Sequence, residues 1–134
     1  MAGVSAPKRL KVLVVDDDDM HREYLAELLG GADLPVRVET ARDGFEAGLK
    51  MAEFAPDVVL LDVMMPGMNG FEVCRRIAAA PAGGAARVIA MTGYPSPENL
   101  QRIVGAGAEV MLAKPIDVPL LMHALGLSTA QGAN

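Results

Sequence analysis

Short apolar runs alternate along this chain with segments of helical period. Four of the runs are almost continuously apolar: LKVLVV (10–15), VVLL (58–61), VIAM (88–91) and VMLA (110–113). Such short, continuous runs are typical of parallel strands that helices cover on both faces. A fifth run, VRVET (36–40), alternates apolar with polar residues, which predicts a strand at the edge of the sheet.

Helical periodicity fills the intervals between these runs and follows the last one. The first three helical segments are each predicted to bury one face: Tyr24, Leu25 and Leu28 in the first, Phe45, Leu49 and Ala52 in the second, and Phe71, Cys74 and Ile77 in the third. Two further segments, PENLQRIV (97–104) and VPLLMHAL (118–125), complete five helices. Glycine and proline clusters, such as MPGMNG (65–70) and GYPSP (93–97), mark turns between elements.

This five-fold alternation predicts an α/β fold in which helices wind around both faces of a parallel five-stranded sheet. The expected strand order is 2-1-3-4-5, the flavodoxin-like (βα)5 arrangement. A chain of 134 residues has about the length of one domain. We therefore predict a single domain built on one doubly wound sheet.

Composition and charge argue against several classes of function. The net charge is −5 and the sequence holds no basic block, which disfavours direct binding of nucleic acid. No apolar stretch approaches the ~20 residues that a membrane span needs. The single cysteine, Cys74, cannot form an internal disulfide, and a reduced thiol suits a reducing compartment. The sequence thus predicts a cytoplasmic protein without membrane or nucleic-acid contacts.

Charged and polar residues stand where the predicted strands end. Asp16 and Asp17 follow the first strand and Asp62 the third, while Thr92 and Lys114 follow the fourth and fifth. Ligands of such sheets bind at the carboxyl ends of the strands, near the point where strand order reverses. Carboxylates gathered there repel one another unless a cation compensates, and Mg²⁺ prefers oxygen ligands of this kind. The next two residues, Asp18 and Asp19, are predicted to cap the first helix.

Four segments, taken in order, resemble the CheY-like receiver domain of two-component response regulators. They are VLVVDDDD (12–19), VVLLDVMMPGMNG (58–70), VIAMTG (88–93) and LAKPID (112–117). An acidic pair alone is weak evidence, but the ordered set of an acidic pair, an Asp before MPGMNG, a Thr and a Lys-Pro is specific. The resemblance covers about residues 8–126. We therefore predict a receiver domain at 8–126 with flexible tails at 1–7 and 127–134.

The resemblance implies a role for each acidic residue at this edge. Asp62 matches the phospho-acceptor, whose carboxylate takes a phosphoryl group from a phosphohistidine on a partner kinase. Asp17 matches the principal Mg²⁺ ligand, and Asp16 matches the neighbour that acts through a metal-bound water. Asp62 itself and the backbone carbonyl of Met64 complete the implied ligand set, with Mn²⁺ as an alternative ion.

The resemblance also implies roles for three residues that follow the fourth and fifth strands. Lys114 matches the lysine that pairs with the acceptor carboxylate before transfer and with a phosphoryl oxygen afterwards. Thr92 matches the hydroxyl that moves to donate to the phosphoryl group. Pro115 matches a proline that is typically preceded by a cis peptide bond.

Three positions depart from the commonest receiver pattern. Met111 stands where many receivers carry Tyr or Phe, so coupling to the output cannot use the usual aromatic side chain. Met64 and Tyr94 occupy the two positions that tune attack of water on the acyl phosphate. Neither residue is an acid, an amide or a base that orients water. The sequence therefore predicts slow self-dephosphorylation and no enzymatic activity beyond this self-catalysed phosphotransfer and hydrolysis.

The predicted partners are a sensor histidine kinase or a histidine phosphotransfer protein. The sequence holds no output module after the fifth helix, which we interpret as a single-domain regulator or a fragment of a longer one. Signalling is then expected through a downstream target or a second copy, on the face formed by the fourth helix, fifth strand and fifth helix. Candidate residues of that face are Glu98, Gln101, Arg102, Met111 and Met122.

Two other classes of function remain open. A degenerate receiver would act as an interaction module without phosphorylation, although the complete Asp, Thr and Lys set disfavours it. A Mg²⁺-dependent phosphohydrolase of the haloacid dehalogenase type places its nucleophile in an Asp-x-Asp-x-Thr-like motif at the first strand, and DDDDM (16–20) lacks the Thr. His21 and His123 lie in helical segments without a motif, so both are predicted to be surface or helix-packing residues.

Overall fold

Strands and helices alternate throughout the computed structural model, which describes residues 9–31, 33–79 and 86–127. The elements are β1 (Leu10–Val15), α1 (Asp19–Gly31), β2 (Val36–Ala41), α2 (Gly44–Glu53), β3 (Val58–Asp62), α3 (Gly70–Ala78), β4 (Arg87–Thr92), α4 (Pro97–Gly105), β5 (Val110–Ala113) and α5 (Val118–Leu125). Each apolar or alternating run predicted as a strand forms one, and the ends differ from the prediction by at most one residue.

The sheet is parallel and has the order β2-β1-β3-β4-β5, which confirms the predicted topology. The alternating strand β2 lies at an edge, as its pattern predicts. At the carboxyl end, Val15 is level with Leu61, Asp62 with Met91, and Thr92 with Ala113. This register brings the strand ends of β1, β3, β4 and β5 to one edge.

Two apolar clusters, one on each face of the sheet, form the core. One cluster holds Leu13 and Val15 of β1 together with Cys74 and Ile77 of α3. The other holds Val12 and Val14 of β1 with side chains of α1 and α5. Because side chains alternate along a strand, β1 and β3 are buried on both faces, which explains their almost continuously apolar sequence.

One of the three predicted helix faces is wrong and one is right in part. In α1 Leu25 is buried and Leu28 packs against the core as predicted, but Tyr24 is half exposed and Leu29 is buried instead. In α2 Phe45 is 77% exposed and the buried side chain is Ala47. The pattern misleads because small Ala47 faces the apolar cluster while the larger Phe45 and Leu49 face solvent. The predicted face of α3 is correct, since Cys74 and Ile77 are buried and Phe71 is partly buried.

The amino-terminal edge of the sheet is joined to the end of α5 by one arginine. Arg87, at the start of β4, donates from Nη2 to the carbonyl of Ala124 at 2.6 Å and from Nε to Glu109 at 3.0 Å. Among the described residues, no helix is both long and apolar enough to cross a membrane. The predicted tails lie outside the described residues except for Leu127, which packs against the core.

Candidate functional site

The carboxyl edge of the sheet gathers four of the polar residues singled out in the sequence. Asp16 follows β1, Asp62 and Thr92 end β3 and β4, and Lys114 follows β5. Asp16 and Thr92 are fully buried and Asp62 is 5% exposed, so these polar groups are shielded from bulk water. Asp17 is exposed beside them.

The four consecutive aspartates divide between the sheet edge and the first helix. The amide of Asp18 donates to Oδ1 of Asp16 at 3.0 Å. The carboxylate of Asp18 in turn accepts from the amides of Met20 and His21, as a residue that caps a helix start does. Asp19 is exposed and pairs with Arg22. The helix-capping prediction therefore holds for Asp18, and the edge keeps Asp16 and Asp17.

Asp62 lies between two donors. Its Oδ1 accepts from the amide of Met64 at 2.9 Å, and its Oδ2 accepts from Nζ of Lys114 at 2.9 Å. Lys114 is shared, because its Nζ is also 3.2 Å from Oδ2 of Asp16. One ammonium thus bridges two buried carboxylates, and the Lys114–Pro115 peptide bond that follows it is cis.

Burial and pairing act in opposite directions on the ionisation of this group. Burial raises the pKa of Asp62, although Lys114 and the Met64 amide oppose it. Burial also acts to raise the pKa of Asp16, but hydrogen bonds from His21, the Asp18 amide and Lys114 outweigh it and lower the pKa overall. Burial acts to lower the pKa of Lys114, and the two carboxylates raise it. The ammonium therefore stays charged and holds both acids.

Three carboxylates at this edge could hold a metal ion. Asp16, Asp17 and Asp62 each offer an oxygen atom, and these atoms all lie within 4.8 Å of one another. A donor set made only of oxygen fits a hard cation such as Mg²⁺, which binds through one or two carboxylates and keeps several waters. Exposed Asp17 gives such an ion access from solvent.

The turn after β3 packs closely on the strand it leaves. Gly70, the first residue of α3, lies so near the backbone of Val63 that an added Cβ would be 2.3 Å from the Val63 carbonyl oxygen. Asn69 caps α3 by accepting from the amides of Phe71 and Glu72. The glycine and the cap together fix the loop that carries Met64, which is 41% exposed.

Thr92 is held at the end of β4 by its own loop. Its Oγ1 accepts from the amide of Tyr94 at 2.9 Å, and the Tyr94 carbonyl accepts from the side-chain amide of Asn99 in α4 at 2.8 Å. This contact uses the hydroxyl as an acceptor, which leaves its hydrogen to be donated. The side chain of Tyr94 is 70% exposed. Met111 is partly buried against the apolar cluster that contains Cys74.

Two residues of α1 contact Asp16 that sequence reasoning did not place at the site. Nδ1 of His21 is 2.6 Å from Oδ2 of Asp16, and Nη1 of Arg22 donates to the Asp16 carbonyl at 2.8 Å. The prediction of a surface or helix-packing role for His21 is therefore wrong. The first turn of α1 lies over the end of β1, so residues five and six positions after Asp16 return to it. His123 is exposed, as predicted.

The chain matches the family model "Response regulator receiver domain" over residues 12–126. It belongs to this family. The receiver domain is 38% identical over 121 residues to a gliding motility regulatory protein of Myxococcus xanthus, covering 90% of this chain and 15% of that protein. It is 37% identical over 111 residues to the response regulator PleD of Caulobacter vibrioides, covering 83% and 24%.

Solved receiver domains have the same fold. The signal receiver domain of a DNA-binding response regulator from Colwellia psychrerythraea is 37% identical to this chain with a TM-score of 0.81, covering 87% of this chain and 95% of that one. A response regulator described as putative from Chloroflexus aurantiacus is 30% identical with a TM-score of 0.76, covering 89% and 99%. The chain thus spans a whole receiver domain but only a small part of the two regulators named above.

Proposed function

We propose that this receiver domain accepts a phosphoryl group on Asp62 from a histidine kinase or a histidine phosphotransfer protein, in a reaction that depends on Mg²⁺. The observation that carries the proposal is the position of Asp62: a nearly buried carboxylate, paired with Lys114 and adjacent to two further carboxylates that could hold a cation. We also propose that this protein lies in the cytoplasm, which is consistent with such partners.

The chemistry is a displacement at phosphorus. The Asp62 carboxylate forms an O–P bond while the P–N bond of the phosphohistidine breaks, and the imidazole leaves. Bound at Asp16, Asp17, Asp62 and the Met64 carbonyl, Mg²⁺ or Mn²⁺ would offset the charge on the transferring group. Lys114 exchanges its bond to Asp62 for one to a phosphoryl oxygen. Thr92 donates its hydroxyl hydrogen to another phosphoryl oxygen. This bond draws the loop after β4 towards Asp62.

Movement of that loop would reach α4, because Asn99 holds the Tyr94 carbonyl. We propose the face of α4, β5 and α5 as the surface that a downstream target or a second copy binds. Glu98 and Gln101 are exposed on it, and Met111 and Met122 are partly buried. The guanidinium of Arg102 lies 3.9 Å from the centre of the Phe71 ring, so this residue joins α4 to α3.

Intact-mass spectrometry after incubation with acetyl phosphate tests the proposal. The wild-type protein should gain one phosphoryl group only when Mg²⁺ is present, and Asp62→Asn should gain none. Asp33→Asn is the matched control. Asp33 is an exposed aspartate that precedes β2, so it lies at the amino-terminal edge of the parallel sheet, opposite the carboxyl edge. Absence of an adduct in the wild type would favour a receiver that acts by binding alone. Multiple turnover of small phosphate esters would favour a phosphohydrolase.

A further inference from the structure

Asp16 is satisfied by three donors. The carboxylate is fully buried, and its Oδ1 accepts from the Asp18 amide. Its Oδ2 faces both Nδ1 of His21 at 2.6 Å and Nζ of Lys114 at 3.2 Å. A carboxylate oxygen has two lone pairs, so His21 and Lys114 between them use both of those on Oδ2. Because the ionised carboxylate only accepts, Nδ1 carries the hydrogen of the shorter bond.

The ammonium group of Lys114 is shared between the carboxylates of Asp62 and Asp16. Its bond to Asp62 is 2.9 Å, shorter than the 3.2 Å contact with Asp16. A buried carboxylate that loses a hydrogen-bond donor destabilises the folded protein, and it attracts the nearest cation more strongly. If His21 did not donate to Asp16, the ammonium would therefore be drawn from Asp62 towards Asp16.

The first turn of α1 keeps His21 in place for this contact. The His21 amide donates to the carboxylate of Asp18, and neighbouring Arg22 holds the Asp16 carbonyl. The side chain of His21 is only 17% exposed. Among the described residues, the acids whose oxygens lie within 4.8 Å of one another are Asp16, Asp17 and Asp62, and His21 is outside that group. The imidazole therefore contacts a carboxylate of the site rather than the place of the ion.

We propose that His21 is a positioning residue. It donates a hydrogen bond to Asp16, so that Lys114 can pair with Asp62 before transfer and with the phosphoryl group afterwards. This inference rests on the proposed function, since it concerns the same acceptor. By this inference, the hydrogen bond from His21 to Asp16 decides whether the Lys114 ammonium pairs mainly with Asp62 or with Asp16.

The test compares His21→Leu with His21→Asn. Leucine keeps bulk but cannot donate, whereas the amide nitrogen of asparagine branches from the same carbon position as Nδ1 and can donate to Asp16. At saturating Mg²⁺, we expect phosphorylation by acetyl phosphate to be about ten-fold slower in His21→Leu and close to wild type in His21→Asn. His123→Leu, on the exposed side of α5, is the control and should leave the rate unchanged.

A second measurement is independent of activity. In a crystal structure of His21→Leu, Nζ of Lys114 should lie within hydrogen-bond distance of Asp16 and beyond it from Asp62, and His21→Asn should keep the wild-type pair. If the leucine variant does not fold, His21→Ala takes its place in both measurements.

Four outcomes would overturn the inference. A wild-type rate in His21→Leu at both limiting and saturating Mg²⁺ would remove the role, and an asparagine variant as slow as the leucine variant would show that the donor does not matter. A defect seen only at limiting Mg²⁺ would place the effect in metal binding instead of in Lys114. Failure of the wild type itself to be phosphorylated would refute the proposed function, and this inference with it.

Discussion

Asp62 combines two demands on one side chain, since a carboxylate that attacks phosphorus must be ionised yet lies almost buried. Burial raises its pKa, so ionisation costs more in the folded chain than in the unfolded chain. Asp62→Asn removes this cost, and we expect it to raise the free energy of unfolding by on the order of 1 kcal/mol at neutral pH. Thermal unfolding of the two proteins measures the difference.

The pH dependence of that difference has a definite sign. A folded-state pKa raised above the unfolded value gives a contribution that is present at low pH and is lost as the pH rises through the folded pKa. The wild type loses this contribution and Asp62→Asn does not. The advantage of the variant should therefore grow as the pH rises from about 4, near the unfolded pKa, towards neutral. An advantage that shrinks over this range would contradict the assignment.

The side chain of Met64 should affect the lifetime of the phosphoryl group on Asp62. Its side chain is exposed beside Asp62 and cannot orient a water for attack on the acyl phosphate. We expect Met64→Asn, which adds a group that can do so, to shorten the lifetime several-fold. Release of inorganic phosphate from the phosphorylated protein measures the rate, and Leu49→Asn on the exposed face of α2 is the control. Rapid release from the wild type that Met64→Asn hardly changes would refute the prediction.

The start of α3 should be sensitive to the addition of a single methyl group. A Cβ at Gly70 would meet the backbone of Val63, which cannot move without displacing the end of β3. We expect Gly70→Ala to lower the free energy of unfolding by roughly 2 kcal/mol or more. Gly48→Ala in α2 has open space around its Cβ, so it should be neutral or stabilising by up to about 1 kcal/mol. Denaturant unfolding compares them, and equal losses would be the contrary result.

The sequence predicted the strands better than it predicted the buried faces of the helices. Strands β1 and β3 are buried on both sides, so almost every position reports burial and their limits are visible. In α2 the one fully buried residue is the small Ala47, and the large side chain of Phe45 faces solvent. A pattern that equates size with burial selects the wrong side of such a helix. Packing against the sheet, rather than local periodicity, decides which side is buried.

Ion binding should raise the stability of the entire folded chain. A ligand that binds only the folded chain raises the free energy of unfolding by RT ln(1 + [L]/Kd), about 2.7 kcal/mol at one hundred times Kd. We expect MgCl2 to raise the unfolding temperature of the wild type and of Asp33→Asn. Asp17→Asn, which lacks the exposed carboxylate of the cluster, should show a much smaller rise. An equal rise in all three proteins would place the ion elsewhere.

Some neighbours in the candidate site could be predicted from the order of the strands, and others could not. Asp16, Asp62 and Lys114 could be brought together because parallel strand ends share one edge, which is a property of topology. The contact of His21 with Asp16 could not, since it depends on how the first turn of α1 is rotated above β1. The division of one ammonium between two acids likewise needs distances. Topology predicts neighbours, whereas side-chain orientation decides partners.

Arg87 ties two segments that are far apart in the sequence, the start of β4 and the end of α5. Segments joined in this way tend to open together, as one cooperative unit in native-state hydrogen exchange. The amides in the last turn of α5 should therefore exchange as slowly as those of β4, and in Arg87→Ala they should exchange faster while β4 keeps its protection. If the variant leaves both unchanged, the tie has no part in cooperativity. With the arginine present, the final helical turn should open only when the sheet itself opens.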